Sequence, residues 1–199
     1  MTASVFSAYT IGWVAIATGV VGLVGLVFIV LFFTVGQPFG TLNDLCIALA
    51  AVLGGVLAWM LYSAHHAQSP PLSQLSLVAA LAGALVAVAG SALVIFRVTG
   101  WYLAGLYMTA GNALIGLWLV GLSYSAQRSR AWPHGLAVFG LVVGVIMAVG
   151  LVAVPGILKS IPAQGSAPWY VNAGYVGGLG WVVLYPMWCI WLGRILLLK

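Results

Sequence analysis

Only one carboxylate side chain is available for chemistry in the whole chain. The 199 residues contain a single acid, Asp44, against six Lys and Arg residues and three His. Catalysis by a pair of carboxylates and pumping of ions along chained carboxylates are therefore excluded. The sequence also lacks a His-Glu-x-x-His motif, a nucleophile elbow, a P-loop and a dinucleotide fingerprint. We expect a protein that is not an enzyme.

Asp44 itself allows three interpretations. It lies in Thr41-Leu42-Asn43-Asp44 at the start of an apolar stretch, where Thr41 or Asn43 could cap a helix and an acid in the first turn would favour the helix dipole. Arg97 lies at a similar depth at the end of another apolar stretch and could form an ion pair with Asp44. Ionisable groups inside a membrane also mark functional sites, so a proton or ion site at Asp44 remains open.

Several uncharged polar and aromatic residues fall deep inside apolar stretches. Asn112 lies in the middle of one, where its amide needs a hydrogen-bond partner or lines a polar path. Trp181, Tyr185 and Trp188 share one helix face, and Pro186 between them predicts a kink, because it lacks an amide hydrogen. A packing stripe and the wall of a cavity are both compatible with this pattern. The candidate cavity-lining residues are Asn112, Tyr107, Tyr175, Trp181, Tyr185 and Trp188.

Histidine and cysteine give no pattern typical of a bound metal or cofactor. His65, His66 and His134 are not spaced as ligands on one helix face, so we expect interfacial histidines, no metal and no cofactor. Cys46 and Cys189 fall in distant apolar stretches, and we expect no disulfide between them.

The elements that carry these residues are membrane spans. The chain is 64% hydrophobic and 4% charged, with a mean hydropathy of +1.22, whereas a soluble domain carries about 25% charged residues. The composition also lacks the basic patch of a nucleic-acid-binding protein. Because about 20 apolar residues cross a bilayer as a helix, we predict an all-α bundle of six transmembrane helices that forms one membrane domain. The predicted spans are 11–33, 43–62, 75–98, 101–124, 135–154 and 173–198.

Charge placement and internal similarity suggest how these spans are arranged. With both termini cytoplasmic, four basic residues face the cytoplasm and two face outward, which agrees with the positive-inside rule in a plasma or inner membrane. The inner residues are Arg128, Arg130, Arg194 and Lys199, and the outer ones are Arg97 and Lys159. Gly100-Trp101-Tyr102 and Pro168-Trp169-Tyr170 open two spans similarly, which predicts three parallel helical-hairpin repeats.

Three classes of function fit these features. The first is a small transporter or channel for a neutral or lipophilic solute, because no ring of charged residues lines the spans. The second is a non-catalytic structural or accessory subunit, which would pack against itself or another membrane protein through small-residue faces. The third is a protein that binds a pigment, lipid or quinone through its aromatic faces.

Overall fold

The computed structural model describes residues 6–65 and 70–198, and these residues form helices joined by turns, with no strand. Six helical segments are long and apolar enough to cross a membrane, so the predicted six-helix membrane fold is confirmed. We call these segments spans 1 to 6. The first four are single helices: α1 (Ala8–Thr34), α2 (Phe39–His65), α3 (Pro70–Ile95) and α4 (Trp101–Ser129). In lipid each helix satisfies its own backbone hydrogen bonds.

Spans 5 and 6 are built from several pieces. Span 5 joins α5 (His134–Ala148) to α6 (Val154–Leu158) through a 3₁₀ turn (Val149–Ala153). Span 6 contains α7 (Trp169–Ala173), α8 (Tyr175–Leu179), a π-helical turn (Gly180–Leu184) and α9 (Tyr185–Leu197). A short 3₁₀ turn (Gln164–Ser166) lies between the two spans.

Several predicted span ends were wrong. Span 3 was expected to reach Val98, but α3 ends at Ile95. The chain turns there because the amide of Val98 donates to the carbonyl of Leu93, and Arg97 takes a left-handed conformation with φ 57°. Such a residue and hydrogen bond close a helix. Span 5, in contrast, extends beyond its predicted end at Val154 and continues as a helix to Leu158. Pro155 is tolerated there because it lies in the first turn of α6.

The spans pack in chain order, and span 6 closes the bundle by returning to α1. α4 is the most enclosed element, with 67% of its most apolar window buried. It contacts α3 and span 5 extensively, and α2 and α8 less so. The other spans present rows of large apolar side chains outward, such as Leu45, Leu49 and Val52 of α2. These rows are the surface that contacts lipid.

Pro186 and its neighbours give span 6 its irregular shape. Pro186 has no amide hydrogen to donate to the carbonyl of Val182, and the helix widens from α to π over the five residues Gly180–Leu184 just before it. Gly19 and Gly22 of α1 lie against this region: a Cβ at Gly19 would come within 2.5 Å of the Pro186 carbonyl oxygen, and one at Gly22 within 2.6 Å of the proline ring. The two glycines let α1 pack directly on the irregular segment.

The two membrane faces of the bundle carry different loops. The terminal face is where α1 begins and α9 ends, and it carries Arg128, Arg130 and Arg194. The Arg97 face carries Arg97, Lys159 and the turns between spans 1 and 2, 3 and 4, and 5 and 6. The three-hairpin repeat and the single-domain boundary remain predictions from the sequence.

Candidate functional site

A small cavity lies inside the bundle, between spans 1, 2, 4 and 6. It is the central cavity of this description, and about 30 Å³ of it is accessible to the centre of a water molecule. One water needs roughly 10–15 Å³ on this measure, so the central cavity has room for about two. Its lining comprises Thr18, Gly22, Gly25, Leu26, Asn43, Cys46, Ile47, Ala50, Asn112, Trp181, Val182, Tyr185 and Pro186.

Span 6 contributes two residues with buried polar atoms to the wall of this cavity. The indole nitrogen of Trp181 and the hydroxyl of Tyr185 are buried, and neither is hydrogen-bonded to an oxygen or nitrogen. The Tyr185 hydroxyl reaches across the bundle to α2, 3.1 Å from the position that a Cβ at Gly54 would take, and it lies beside the Cys189 thiol. A buried polar group without a partner costs about 1–3 kcal/mol. A thiol is a weak partner for a hydroxyl, so both groups retain hydrogen-bonding capacity.

The polar residues that spans 1 and 4 contribute are satisfied within their own helices. The Asn112 side-chain nitrogen donates to the Met108 carbonyl at 2.9 Å, and the Thr18 hydroxyl donates to the Val14 carbonyl at 2.8 Å. The Asn112 side-chain nitrogen therefore has a hydrogen-bond partner within its own helix. Asn112 is relevant to function because it lines the wall of the central cavity.

Trp188 packs beside the central cavity on the side of the terminal face, without lining it. It is completely buried, and its ring stacks on that of Tyr185 with centroids 6.2 Å apart. On its other side it contacts Trp118 at 6.3 Å and Trp132 at 5.9 Å. The Trp188 indole nitrogen and the Ser123 hydroxyl both lack hydrogen-bond partners and both lie beside Gly140. Two further buried polar atoms without hydrogen-bond partners therefore lie between the central cavity and the terminal face.

A second cavity of similar volume, about 30 Å³, lies beyond this aromatic cluster near the terminal face. We call it the terminal cavity. Trp118 and Trp132, which contact Trp188, form part of its wall. Its polar lining consists of Tyr62, Ser73, Ser76 and Ser125. Trp188 therefore packs between one ring of the central cavity, Tyr185, and two rings of the terminal cavity.

On the opposite side, a larger pocket of about 380 Å³ is found at the Arg97 face. It is lined by Gln37, Pro38, Thr41, Asp44, Val94, Arg97 and Thr99. We call it the Arg97 pocket. Asp44 lies on its wall with 7% of the residue exposed, and the side chain of Asn43 lies close to its carboxyl group. Because Asn43 also lines the central cavity, these two residues connect pocket and cavity.

The structure corrects the expected capping role of the Asp44 segment. α2 begins at Phe39, so Thr41 and Asn43 lie inside the helix and do not cap it. Asp44 is the sixth helical residue, and the first turn contains no acid. Asp44 and Arg97 share the Arg97 pocket, but within residues 6–65 and 70–198 no salt bridge joins them. Neither structural role is therefore filled by the contacts that Asp44 makes.

Two of the candidate lining residues lie away from the central cavity. Tyr107 packs its Cβ against Gly90 at the interface of α3 and α4. Tyr175 packs against Tyr102 near the Arg97 face, with ring centroids 6.2 Å apart, and the Tyr102 hydroxyl donates to Asn172 at 2.9 Å. Asn112, Trp181, Tyr185 and Pro186 do meet at the cavity, whereas Trp188 lies just below it.

The remaining candidates do not form a site in the described part of the chain. No group of three or more His, Cys, Asp or Glu residues is close enough to hold a metal there. His66 and Lys199 lie outside the described residues, as does the side chain of His65, and His134 begins α5. Cys46 and Cys189 are both free thiols.

Sequence reasoning missed several polar residues of these cavities. Thr18, Asn43 and Ser76 fall within apolar helices, where hydroxyl and amide side chains commonly bond to their own backbone. Only the packing of four spans reveals which of them point inward. No known protein family, curated protein or solved structure matches this chain. The properties of the site therefore have to be derived from its own residues.

Proposed function

We propose that this polytopic membrane protein is a small transporter or channel for a neutral, hydrogen-bonding solute, and that it is not an enzyme. The observation that supports this proposal is a cavity inside the bundle whose wall includes Trp181 and Tyr185, two residues with buried polar atoms that are not hydrogen-bonded to an oxygen or nitrogen. A membrane interior normally pairs its polar groups, since leaving one unsatisfied costs free energy. A guest with both donor and acceptor groups would satisfy these two.

The solute class follows from the composition of the lining. The central cavity is mostly apolar with a few polar groups, and it contains no charged residue. A strongly charged solute would find no compensating charge in it. Urea and glycerol are suitable probes, because they are small, neutral and rich in hydrogen-bonding groups.

The position of the three cavities supports a pathway across the bundle. The adjacent residues Asp44 and Asn43 line the Arg97 pocket and the central cavity, respectively. Trp188 contacts Tyr185 of the central cavity and Trp118 and Trp132 of the terminal cavity. The central cavity holds about two waters in this conformation, so passage of urea or glycerol requires movement around Trp188. A π-helical turn next to a proline is a suitable place for such movement, since π-bulges are frequent at functional sites.

The proposal is tested by solute flux into proteoliposomes. Purified protein is reconstituted, and the rate of swelling or shrinkage after an osmotic step of urea or glycerol is followed by light scattering. We expect the wild-type rate to exceed that of protein-free vesicles several-fold. For both solutes, wild-type rates equal to those of protein-free vesicles, together with a second chain that co-purifies with the protein, would favour the accessory-subunit interpretation instead.

Paired variants separate the cavity from the general surface of the protein. Trp181→Phe and Tyr185→Phe remove the two unpartnered groups and should reduce flux several-fold. Trp59→Phe and Tyr124→Phe make the same chemical changes at positions that are 53% and 51% exposed, away from the cavity. These two controls should leave flux unchanged.

The orientation of the chain belongs to the same proposal. We place both termini in the cytoplasm, in a plasma or inner membrane, because more Lys and Arg residues lie at the terminal face. With Cys46 and Cys189 replaced, a single cysteine at Gln164 should react with an impermeant thiol reagent in intact cells. A single cysteine at Ser129 should be protected. The reverse pattern would invert the orientation without affecting the cavities.

A further inference from the structure

We infer that Asp44 is a proton-binding site that couples the central cavity to the Arg97 pocket. This inference rests on the proposed transport function, which it deepens by assigning the ion that moves with or controls the solute. Asp44 is the only carboxylate side chain of the protein. It is buried at the boundary between the two spaces, next to Asn43, which lines the central cavity.

The location of the carboxyl group supports binding more than stability. It lies beyond the first turn of α2, and Thr41 and Asn43 on its N-terminal side are helical residues and not caps. The helix-dipole effect falls off within the first turn, so the dipole gives Asp44 little stabilisation. No salt bridge neutralises it among the described residues, although Arg97 lies on the wall of the same pocket. A buried acid that neither caps its helix nor pairs with a cation is costly to retain without another use.

The surroundings of Asp44 leave it as the titrating group. Of the described residues around it, Arg97 in the turn after α3 is the charged group that shares its pocket. On α2 itself, the Cys46 thiol lines the central cavity and faces Gly25 of α1. From α4, Tyr107 faces Gly90 of α3. Protonation converts the Asp44 carboxylate to a neutral carboxylic acid, which can then donate as well as accept a hydrogen bond.

This change in hydrogen bonding provides the coupling. The side chain of Asn43 lies close to the Asp44 carboxyl group, so its amide can donate a hydrogen bond to the ionised carboxylate. When Asp44 binds a proton, its hydroxyl can donate to the Asn43 carbonyl oxygen instead, and Asn43 can turn its amide around. Because Asn43 is part of the cavity wall, protonation from the Arg97 pocket changes the donors and acceptors offered to a solute.

A carbodiimide measures proton binding directly. Dicyclohexylcarbodiimide reacts with protonated carboxyl groups in apolar surroundings: the carboxyl proton moves to a carbodiimide nitrogen, and the carboxylate oxygen adds to the central carbon. We expect one adduct on the full chain in vesicles, mapped to Asp44 by peptide mass spectrometry. Above the titration midpoint, the protonated fraction and hence labelling should fall about tenfold per pH unit. Absence of labelling at every pH would overturn the inference.

Matched variants and an added cation define what the site binds. Asp44→Asn should lose the adduct completely. Arg97→Gln should change labelling less than about twofold, because no salt bridge joins the two residues; a tenfold increase at constant pH would show that they are paired in the membrane and would overturn the inference. Protection of Asp44 by Na⁺ or K⁺ at constant pH would also overturn it, because the site would then be a metal-cation site.

Flux measurements keep this inference distinct from the proposed function. Asp44→Asn should abolish the pH dependence of urea or glycerol flux, whereas Tyr185→Phe should reduce flux and retain labelling at Asp44. Wild-type vesicles that show labelling but no flux would refute transport and leave the proton site intact. Flux whose pH dependence is the same in the wild type and Asp44→Asn would refute the coupling and leave transport intact.

Discussion

Spans 4 and 6 both carry polar and aromatic residues at mid-membrane, yet they accommodate them in opposite ways. α4 is one continuous helix of 29 residues, and its Asn112 amide donates to a carbonyl of the same helix. Span 6 changes from α to π and back, and Trp181, Tyr185 and Trp188 are left without hydrogen-bond partners. A polar residue in a span therefore does not by itself mark a site. The informative combination is an irregular backbone together with unsatisfied groups.

Glycines show that both spans contain tightly packed and open positions. α4 approaches α3 closely, since a Cβ at Gly111 would come within 2.5 Å of the Ala87 backbone nitrogen, whereas Gly105 has nothing within 4 Å of its Cβ position. In span 6, a Cβ at Gly177 would come within 2.8 Å of the Gly150 backbone nitrogen, whereas Gly178 has nothing within 4 Å. The two spans therefore differ in backbone regularity and in hydrogen bonding, and not in how tightly they pack.

The largest effects should come from truncating the two tryptophans that meet between these spans. Trp188→Ala and Trp118→Ala each remove a buried indole and should each reduce the free energy of unfolding by about 3–5 kcal/mol. Trp188 packs between the Tyr185 ring of the central cavity and the Trp118 and Trp132 rings of the terminal cavity. If the proposed pathway passes there, Trp188→Ala should also raise urea and glycerol flux several-fold. Denaturant unfolding in detergent and flux in vesicles measure the two effects. Equal flux in both variants would show that Trp188 is not the barrier.

Smaller losses are expected from adding one methyl group to α4. Gly111→Ala places a Cβ against backbone atoms of α3 and should cost about 1–3 kcal/mol by overpacking. Gly105→Ala is the matched control in the same helix, because nothing lies within 4 Å of its Cβ position. There the change should stabilise the protein by up to about 1 kcal/mol through reduced backbone entropy. Similar midpoints for both variants would contradict a tightly fixed α4.

Restoring a regular helix in span 6 should affect flux more than stability. Pro186→Ala returns an amide hydrogen to the π-helical region, worth about 1 kcal/mol, but it loses the proline contact with Gly22, so the net change in unfolding free energy should be about 1 kcal/mol or less. We expect flux to fall several-fold as the π turn reverts to α. Pro155→Ala, in the first turn of α6, is the control and should leave flux unchanged. Spin labels at the two ends of span 6 would measure the accompanying change in its length.

The sequence was sufficient to predict what depends on local composition. The number and approximate position of the spans follow from apolar length, and the irregularity of span 6 was expected at Pro186. The end of α3 was missed because a left-handed Arg97 closes it, and arginine carries no signal for that conformation. The roles of Thr41 and Asn43 were misread because apolar length indicates where lipid begins and not where a helix begins.

The residues that line the site could not all be predicted, because the lining depends on contacts between helices that no local sequence pattern specifies. Tyr107 and Asn112 lie five residues apart on α4, yet one packs against α3 and the other lines the central cavity. Which face of α4 points inward is decided by the neighbours it acquires on folding. The same holds for Asn43 and Asp44, which are adjacent in sequence but line different spaces.

The smallest effects should distinguish the two spans by the sign of the change in unfolding free energy. Asn112→Ala removes the side-chain hydrogen bond to Met108 within α4 and should cost about 1 kcal/mol, the usual net value of such a bond. Tyr185→Phe removes a hydroxyl that is not hydrogen-bonded to any oxygen or nitrogen, so it should leave the unfolding free energy unchanged or raise it by up to about 1 kcal/mol. Both substitutions keep the cavity wall largely in place, and thermal unfolding in detergent without added solute compares them.

If ordered water fills the central cavity and bonds the hydroxyl, Tyr185→Phe should instead destabilise the protein as Asn112→Ala does. Opposite signs would therefore show that the empty cavity holds an unsatisfied group in span 6, whereas equal signs would show that solvent already occupies the place that we assign to the solute.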